Sequence, residues 1–573
     1  MSVKKIFYLL LLILITGFFH FKGINWGVPD KGRISSVFNG ETEVQNLSEL
    51  MRDAHEEIRE MQEFYGAPYS GSYNPAEKVE ININGKKHLV SREIINSMRS
   101  YLIRSYGADE QAVLVSLSKM NPSRFDFNPH FFEYGGAYLY PAGIFLKICS
   151  ALKIAELHSD ISFYFTNPDK IGRLYTLLRI FGGIFFIFSV ICFYFLSSYI
   201  LKDDSASFLV SMLFAISPVF VMWSHYLKPY CYGMLWVILA LYCAFRFMDE
   251  KKRKWLIAGC LFSGISMGSI LSYGYVFITF IFMIFLVSTD FKSLFKNILI
   301  CLVCFLFSYF LTNPYVLISF KEFINEMFYI QSYWKGSSNF ANLKYFMTTS
   351  LRYGLGTATY LISIVFLVVC FLIRQDRRFM LIFLSILPGF LYFGFSTGRW
   401  VHYAFILYPY IFVVIVLGMT KIKKQFPKIL ISIGILYTFI FSLSYVNLFS
   451  QENVRTSAGI WINNNIPYGS RIGFLEAPSP WRTPPFQFLK YNILIGASKE
   501  TIKYSEYFVV SEYQWVRGGS FENIRKLLSD YKIIKEFKSE PRFFNLVFSH
   551  PESIPYDWCH PNPTILIWKR KNL

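Results

Sequence analysis

The chain has 573 residues, of which 53% are hydrophobic and 19% aromatic, and its formal net charge is +19. This composition is too apolar for an ordinary soluble enzyme. Much of the positive charge lies in short connections between long apolar segments, where cations set membrane orientation and contact anionic lipid head groups. The charge excess therefore does not indicate nucleic-acid binding, and we expect no nucleic-acid partner.

Long apolar segments predict about 11 membrane-spanning helices, because a bilayer core requires about 20 apolar residues per helix. The first, 6–24, follows Lys4 and Lys5 and lacks a small-residue cleavage site, which favours an uncleaved anchor. The later predicted spans are 173–200, 206–223, 230–248, 255–271, 274–289, 294–313, 357–373, 379–396, 402–420 and 427–448.

The short connections alternate between strongly basic and nearly uncharged, and basic connections face the cytoplasm. The N-terminus is therefore predicted to be cytoplasmic, and the odd number of spans places the chain after about residue 450 outside. We expect an integral protein of a bacterial cytoplasmic (inner) membrane. The basic connections lie at 4–5, 251–254, 292–296, 374–378 and 421–428.

The segment 136–156 is apolar enough to cross the membrane, but a crossing there would turn every later basic connection outward. We therefore predict an amphipathic helix on the outer membrane surface. The first external loop then extends from about 25 to 172, and a connection of this length is typically functional.

The external loop is predicted to be structured. Helical periodicity covers 43–65, and short helices fit 91–105 and 109–119. Residues 79–90 alternate around Asn84-Gly85, a dipeptide typical of a tight hairpin turn.

The tail predicts a small α/β domain at 450–573, outside the membrane, following a transmembrane domain at 1–449. Short apolar runs alternate there with helical stretches. The predicted strands are 506–511, 531–537 and 564–568, and the predicted helices are 453–464 and 520–530.

The first candidate catalytic residues are Glu41 and Glu43, shortly after the first span. Glu41 lies near a predicted helix start, where partial positive charge favours an ionised carboxylate. Such a carboxylate suits a general base or a metal ligand. Ordinary helix-start acids on a solvated loop would give the same pattern.

Further candidates are cationic or imidazole side chains at the outer membrane surface. His225 with Lys228, and Arg399 with His402, could bind an anionic head group or form an interfacial belt of aromatic and basic residues. Arg173 and Arg179 open the second span and could likewise bind a lipid phosphate. Because an unpaired Arg inside a span is costly, Arg179 is expected to have a partner or ligand.

Together these features resemble the GT-C superfamily of lipid-dependent glycosyltransferases, such as the protein O-mannosyltransferases and the aminoarabinose transferase of lipid A. The order and topology of short motifs carry the resemblance across nearly the whole chain. These motifs are the first-loop segment 26–44, Phe127 to Tyr134 (FNPHFFEY), Arg173-Leu174, Ser224-His225, Asn313-Pro314-Tyr315, Arg399 and, in the tail, Arg455, Trp461-Ile462, 467–470 and 562–565.

The resemblance implies an inverting transfer from a polyprenyl-phosphate sugar to a lipid, glycan or protein acceptor, with membrane lipids as further partners. The family's first-loop Asp-Glu pair aligns here with Gly40-Glu41, so that only the Glu carries over. Tyr230 stands where the family often has an acidic residue. No cofactor is firmly implied, and the use of a divalent metal stays open.

Three other interpretations remain. A transporter or lipid flippase would carry functional charges at mid-membrane depth. A ligase or polymerase of surface polysaccharide would share the substrate class. A non-catalytic scaffold of the same fold would account for the missing Asp.

Overall fold

Long apolar helices form most of the chain in the computed structural model, which describes residues 2–63, 74, 76–83, 86–333, 339–373, 376–396, 400–423, 425–518, 520–548 and 555–571. Among these residues, seven helices are long and apolar enough to cross a membrane, or up to nine if each of two bent pairs is one span. The seven are Val3–Phe21, Pro168–Leu201, Tyr230–Glu250, Phe291–Thr312, Arg377–Phe395, Val401–Met419 and Gln425–Asn465.

The protein is therefore a polytopic helical membrane protein, and each predicted span falls on a helix. The bent pairs are Asp204–Ala215 with Pro218–Ser224 and Phe340–Leu355 with Thr357–Leu372, at 52° and 113°. The predicted spans 255–271 and 274–289 coincide with shorter helices, Arg253–Ser269 and Leu271–Val287. The count of 11 spans thus stays a prediction.

The segment predicted to lie on the membrane surface contains the helix Gly136–Ala151. Its 16 residues extend about 24 Å, less than the roughly 30 Å of a bilayer core. The backbone N–H of Gly136 donates to Oδ1 of Asn313 at 2.6 Å. A Cβ at Gly135 would lie 2.1 Å from the carbonyl oxygen of Gly268, so this close approach requires glycine. Its depth relative to the bilayer stays a prediction.

The connection 25–172, called the external loop after its predicted location, contains elements close to those predicted for it. Strands β1 (Lys78–Ile83) and β2 (Lys86–Ser91) pair antiparallel, and the turn Asn84-Gly85 lies outside the described residues. The helices of the loop are Gly32–Val37, Glu41–Glu63, Arg92–Ile103, Gln111–Lys119 and Ser162–Thr166, and a later connection carries Tyr315–Ile318 and Phe320–Tyr333.

The C-terminal segment contains a five-stranded mixed sheet in the order β4 (Asn492–Ile495), β3 (Arg471–Phe474), β5 (Tyr507–Ser511), β9 (Ile565–Arg570) and β6 (Tyr531–Phe537). The predicted strands appear as β5, β6 and β9, whereas β3 and β4 were not predicted because each has only four residues. The strands are β3 (Arg471–Phe474), β4 (Asn492–Ile495), β5 (Tyr507–Ser511), β6 (Tyr531–Phe537), β7 (Arg542–Phe543), β8 (Leu546–Val547) and β9 (Ile565–Arg570); the helices are Val454–Asn465, Lys499–Tyr504, Glu512–Gly518 and Phe521–Leu527.

The C-terminal segment packs against the external loop through buried cations and aromatic rings. Tyr106 lies between two guanidinium groups, with Arg33 at 4.2 Å and Arg455 at 5.0 Å from its ring centre. The Tyr101 hydroxyl bonds Oγ1 of Thr483 at 2.6 Å. These contacts fix the C-terminal segment beside the turn that follows Tyr106.

Candidate active site

Two neighbouring carboxylates, Asp109 and Glu110, lie at the end of this turn in different environments. The side chain of Glu110 is fully buried and forms a bidentate ion pair with Arg179. Glu110 Oε1 lies 2.9 Å from Nε of Arg179, and Oε2 lies 2.7 Å from Nη2. The backbone N–H of Leu227 and the hydroxyl of Ser105 also donate to this carboxylate. Every oxygen of Glu110 is therefore engaged within the protein.

Arg179 connects Glu110 to the end of the first span. Its Nη1 donates to the carbonyl oxygens of Ile24 at 2.7 Å and Trp26 at 2.8 Å. The expected partner of this buried cation is therefore Glu110 together with backbone oxygens. The turn has no room for a larger residue at Gly107, where a Cβ would lie 2.2 Å from Oε2 of Glu110.

Asp109 faces outward and lies beside Lys228. Its backbone has a φ of 60°, a left-handed conformation that Asp tolerates better than most residues. Its side chain is 77% exposed, and Oδ2 lies 3.7 Å from Nζ of Lys228, whose side chain is 8% exposed. Nζ of Lys228 also donates to the Tyr134 hydroxyl at 2.8 Å. The pair thus combines an accessible carboxylate with a cation largely withdrawn from solvent.

Glu133 belongs to the same electrostatic cluster. Burial raises the pKa of its carboxyl, the charge of Lys228 opposes this shift, and the charge of Asp109 adds to it. Lys228 therefore stabilises two nearby carboxylates, Asp109 and Glu133.

The segment carrying Glu133 and Tyr134 is held by the helix Phe320–Tyr333. The Glu326 carboxylate accepts hydrogen bonds from the backbone N–H groups of Phe132 at 2.9 Å and Glu133 at 2.8 Å. Burial raises the pKa of Glu326 to about 7 despite these hydrogen bonds. Because the segment is fixed here, the Tyr134 hydroxyl is positioned against Lys228.

The C-terminal segment contributes Asp557 to the same region. Oδ2 of Asp557 lies 3.0 Å from Nδ1 of His402 and accepts the His402 backbone N–H at 3.2 Å. The His402 ring packs against Trp223, with ring centres 4.2 Å apart, and the charge of Lys228 acts on it. With Nδ1 held by a fully buried carboxylate, Nε2 is the ring nitrogen left for a ligand.

Two of the predicted residues, Lys228 and His402, thus share one electrostatic cluster. Arg179 is linked to it indirectly, because its ion-pair partner Glu110 follows Asp109 in the chain. Glu41 and Glu43 lie in the first turn of the helix Glu41–Glu63. Glu43 accepts the backbone N–H of Asn39. Glu41 is exposed and forms no hydrogen bond or ion pair within the described part of the chain. Their catalytic role therefore stays a proposal.

The other predicted ligands are placed differently. Both ring nitrogens of His225 lie against backbone carbonyls, Nδ1 at 2.7 Å from Val221 and Nε2 at 2.9 Å from Lys22. Arg173 is exposed, and its charge acts on Glu156. Arg399 lies outside the described residues. The geometry favours Lys228 and His402 over His225 and Arg173 as ligands.

Sequence reasoning missed Asp109, Glu110, Tyr134 and Asp557. A signal for the first two was present, because residues 109–110 form the one Asp-Glu dipeptide in the external loop 25–172. The resemblance to the GT-C superfamily implies such a pair, but the motif segment 26–44 places it at Gly40-Glu41. Asp557 had no comparable signal, since it lies 155 residues from its partner His402.

The residues of this cluster do not fit a metal site. No group of three or more His, Cys, Asp and Glu side chains suited to a metal is found among the described residues. The nearest cationic group to Asp109 here is the Lys228 ammonium, at 3.7 Å.

Comparison with known families supports the predicted resemblance over part of the chain. Residues 171–318 match the family described as dolichyl-phosphate-mannose-protein mannosyltransferase. The resemblance inferred from short motifs is confirmed over this segment, which contains Arg179, His225, Lys228 and Asn313. No curated protein matches the sequence.

Two solved structures share a distant likeness. ArnT from Cupriavidus metallidurans bound to undecaprenyl phosphate has 9% identity and a TM-score of 0.43, and the match covers 99% of this chain and 98% of that one. The Archaeoglobus fulgidus oligosaccharyltransferase has 12% identity and a TM-score of 0.41, and the match covers 70% of this chain and 63% of that one. Similarity at this level carries no argument about activity.

Proposed function

We propose that the protein is a membrane glycosyltransferase that moves a sugar from a polyprenyl-phosphate donor to an acceptor hydroxyl, on the outer face of the cytoplasmic membrane. The observation that carries this proposal is the Asp109–Lys228 pair, with a 3.7 Å separation between an accessible carboxylate and a shielded ammonium. Lys228 also lies within the segment that matches the mannosyltransferase family.

The chemistry requires a base and a group that stabilises phosphate. Asp109 takes the proton of the acceptor hydroxyl, and the acceptor oxygen bonds to the anomeric carbon of the sugar. The bond between that carbon and the phosphate oxygen breaks, and its electron pair leaves with polyprenyl phosphate. Lys228 stabilises the charge that develops on this leaving group. A single displacement inverts the anomeric centre.

The neighbouring residues have positioning roles in this proposal. Tyr134 directs the ammonium of Lys228, and Asp557 orients His402, whose Nε2 is available to the phosphate. Arg173 and His225 remain proposed ligands with less geometric support, and Arg399, which lies outside the described residues, remains a proposed ligand. Glu41 and Glu43 remain the alternative base.

The test compares Asp109→Asn with Glu41→Gln and Glu43→Gln in purified protein reconstituted in lipid. Polyprenyl-phosphate mannose is supplied as donor with a detergent extract of envelope glycolipid as acceptor, and released polyprenyl phosphate is measured. Because general-base catalysis contributes about a hundredfold or more, Asp109→Asn should lose at least that much. Glu41→Gln should retain nearly the rate of the unaltered protein.

The opposite pattern, with activity lost in Glu41→Gln and kept in Asp109→Asn, would return the base to the start of the helix Glu41–Glu63. A correctly folded Asp109→Asn variant with full activity would refute the mechanism.

A further inference from the structure

A cavity of about 720 Å³ lies between the start of the external loop and the C-terminal segment. Residues from 25–36, 448–464 and 485–487 line it, whereas Asp109 and Lys228 do not. Two wall residues lie next to Asp109 and Glu110. Tyr106 precedes Asp109 by three positions, and the carbonyl oxygen of Trp26 accepts a hydrogen bond from Arg179, the ion-pair partner of Glu110. The cavity is therefore separate from the catalytic pair but next to it.

The charge of the cavity disfavours a phosphate. Arg33 is the one cationic residue among its lining residues, all of which are described, and it is 4% exposed. The Arg33 guanidinium already donates to the carbonyl oxygens of Tyr101 at 2.9 Å, Arg104 at 2.6 Å and Gly27 at 2.6 Å. The exposed carboxylates Asp30 and Glu452 add negative charge. The cavity is thus unsuited to the lipid phosphate of the donor.

The same walls carry polar groups available to an uncharged ligand. The side chains of Asn25, Asn464 and Glu452 form no hydrogen bond with any described residue. The Asn amides donate and accept hydrogen bonds, and the Glu452 carboxylate accepts them, so that together they can pair with sugar hydroxyls, which do both. Ile460, which is 47% exposed, and the half-buried Val28 supply apolar surface for the C–H face of a sugar ring. The volume lies within the roughly 300–1,000 Å³ usual for small-molecule sites.

We propose that this cavity binds the non-reacting part of a neutral glycan acceptor. The inference rests on the proposed function, since it names the acceptor class for the same transfer. An acidic peptide is disfavoured because the cavity has no free cationic side chain for its carboxylates, and the neutral peptide in the test below measures the remaining alternative. The C-terminal segment, which supplies one wall, then determines which acceptor is used.

The test measures binding without turnover. Saturation-transfer NMR on the full chain in detergent micelles uses cellotetraose, mannotetraose and chitotetraose, with a neutral Gly-Ser-Thr pentapeptide as comparison. At least one tetrasaccharide should bind, and the double variant Asn25→Ala with Asn464→Ala should bind it at least tenfold more weakly. The matched control is Asn465→Ala, because Asn465 follows Asn464 in the same helix but does not line the cavity.

Three results would overturn the inference: no tetrasaccharide binds, the pentapeptide binds instead, or Asn465→Ala weakens binding as much as the double variant. Binding of polyprenyl phosphate is measured in the same preparations. If that binding persists and depends on Lys228 while tetrasaccharides fail to bind, the glycan inference fails alone. If polyprenyl phosphate binding is also absent, the proposed function fails.

Discussion

Asp109 and Glu110 are adjacent in the chain, yet their carboxylates have opposite environments. Glu110 is fully buried and makes a bidentate pair with Arg179, supported by two further donors. Asp109 is 77% exposed and stands 3.7 Å from Lys228. Because all hydrogen bonds of the Glu110 carboxylate are made within the protein, Glu110 holds the turn in place. The Asp109 carboxylate is accessible beside the shielded Lys228, and in the proposed function it takes a proton from the acceptor.

The largest effect should follow from Glu110→Gln. Glutamine retains the size of the side chain but leaves Arg179 buried without a counter-charge. Breaking a buried ion pair costs about 3–5 kcal/mol, so the melting temperature in detergent should fall by several degrees or more. Asp109→Asn is the control and should melt like the unaltered protein. Equal melting of Glu110→Gln and the unaltered protein would mean that the buried pair does not stabilise the turn.

The Asp109–Lys228 pair is tested by Lys228→Met, which keeps much of the side-chain volume and removes the ammonium. Turnover should fall roughly a hundredfold, because a donor aimed at developing charge contributes about that much, and KM for the lipid donor should rise. Steady-state kinetics on reconstituted protein separate the two quantities. Lys170→Met is the control, since Lys170 pairs with Glu156 on a different surface. Unchanged kinetics in Lys228→Met would favour an interfacial belt instead.

The helices and much of the external loop could be predicted from the sequence because apolar length and periodicity are local signals. The turn Ser105 to Glu110 could not, since its conformation depends on a left-handed Asp109, a crowded Gly107 and the distant Arg179. Lys228 and His402 were predicted because cations and imidazoles stand out at a membrane surface. Their carboxylate partners were missed because those contacts join residues more than 100 positions apart.

Asp557→Ala extends the comparison of Glu110 and Asp109 to a third carboxylate. The Asp557 side chain is buried like that of Glu110, but it contacts the His402 ring. Losing the contact to Nδ1 frees the His402 ring, so turnover should fall about tenfold while KM for the donor changes less. Asp557→Asn keeps an acceptor oxygen and should retain more activity than Asp557→Ala.

In the background of His402→Ala, Asp557→Ala should have little additional effect, because the effects of substituting two contacting residues are not additive. Additive losses would show that Asp557 acts independently of His402 and would contradict the positioning role. Asp530→Ala provides an exposed control in the same segment.

The smallest effect concerns Glu326, which holds the segment bearing Glu133 and Tyr134. Its pKa is raised from 4.5 to about 7, chiefly by burial, and the charges of Glu133 and Lys119 also act on it. Between these values the unfolded chain has released the proton while the folded protein retains it. The contribution of Glu326 to the free energy of unfolding therefore falls as pH rises from 4.5 towards 7 and no longer changes above 7.

Glu326→Gln removes the titrating group, so the melting temperature of this variant should change less between pH 4.5 and 7. Glu500→Gln, in an exposed helix, is the control and should follow the unaltered protein. If the curves of Glu326→Gln and the unaltered protein run parallel, the Glu326 carboxylate is ionised throughout this pH window, and the segment is held by a charged rather than a neutral side chain.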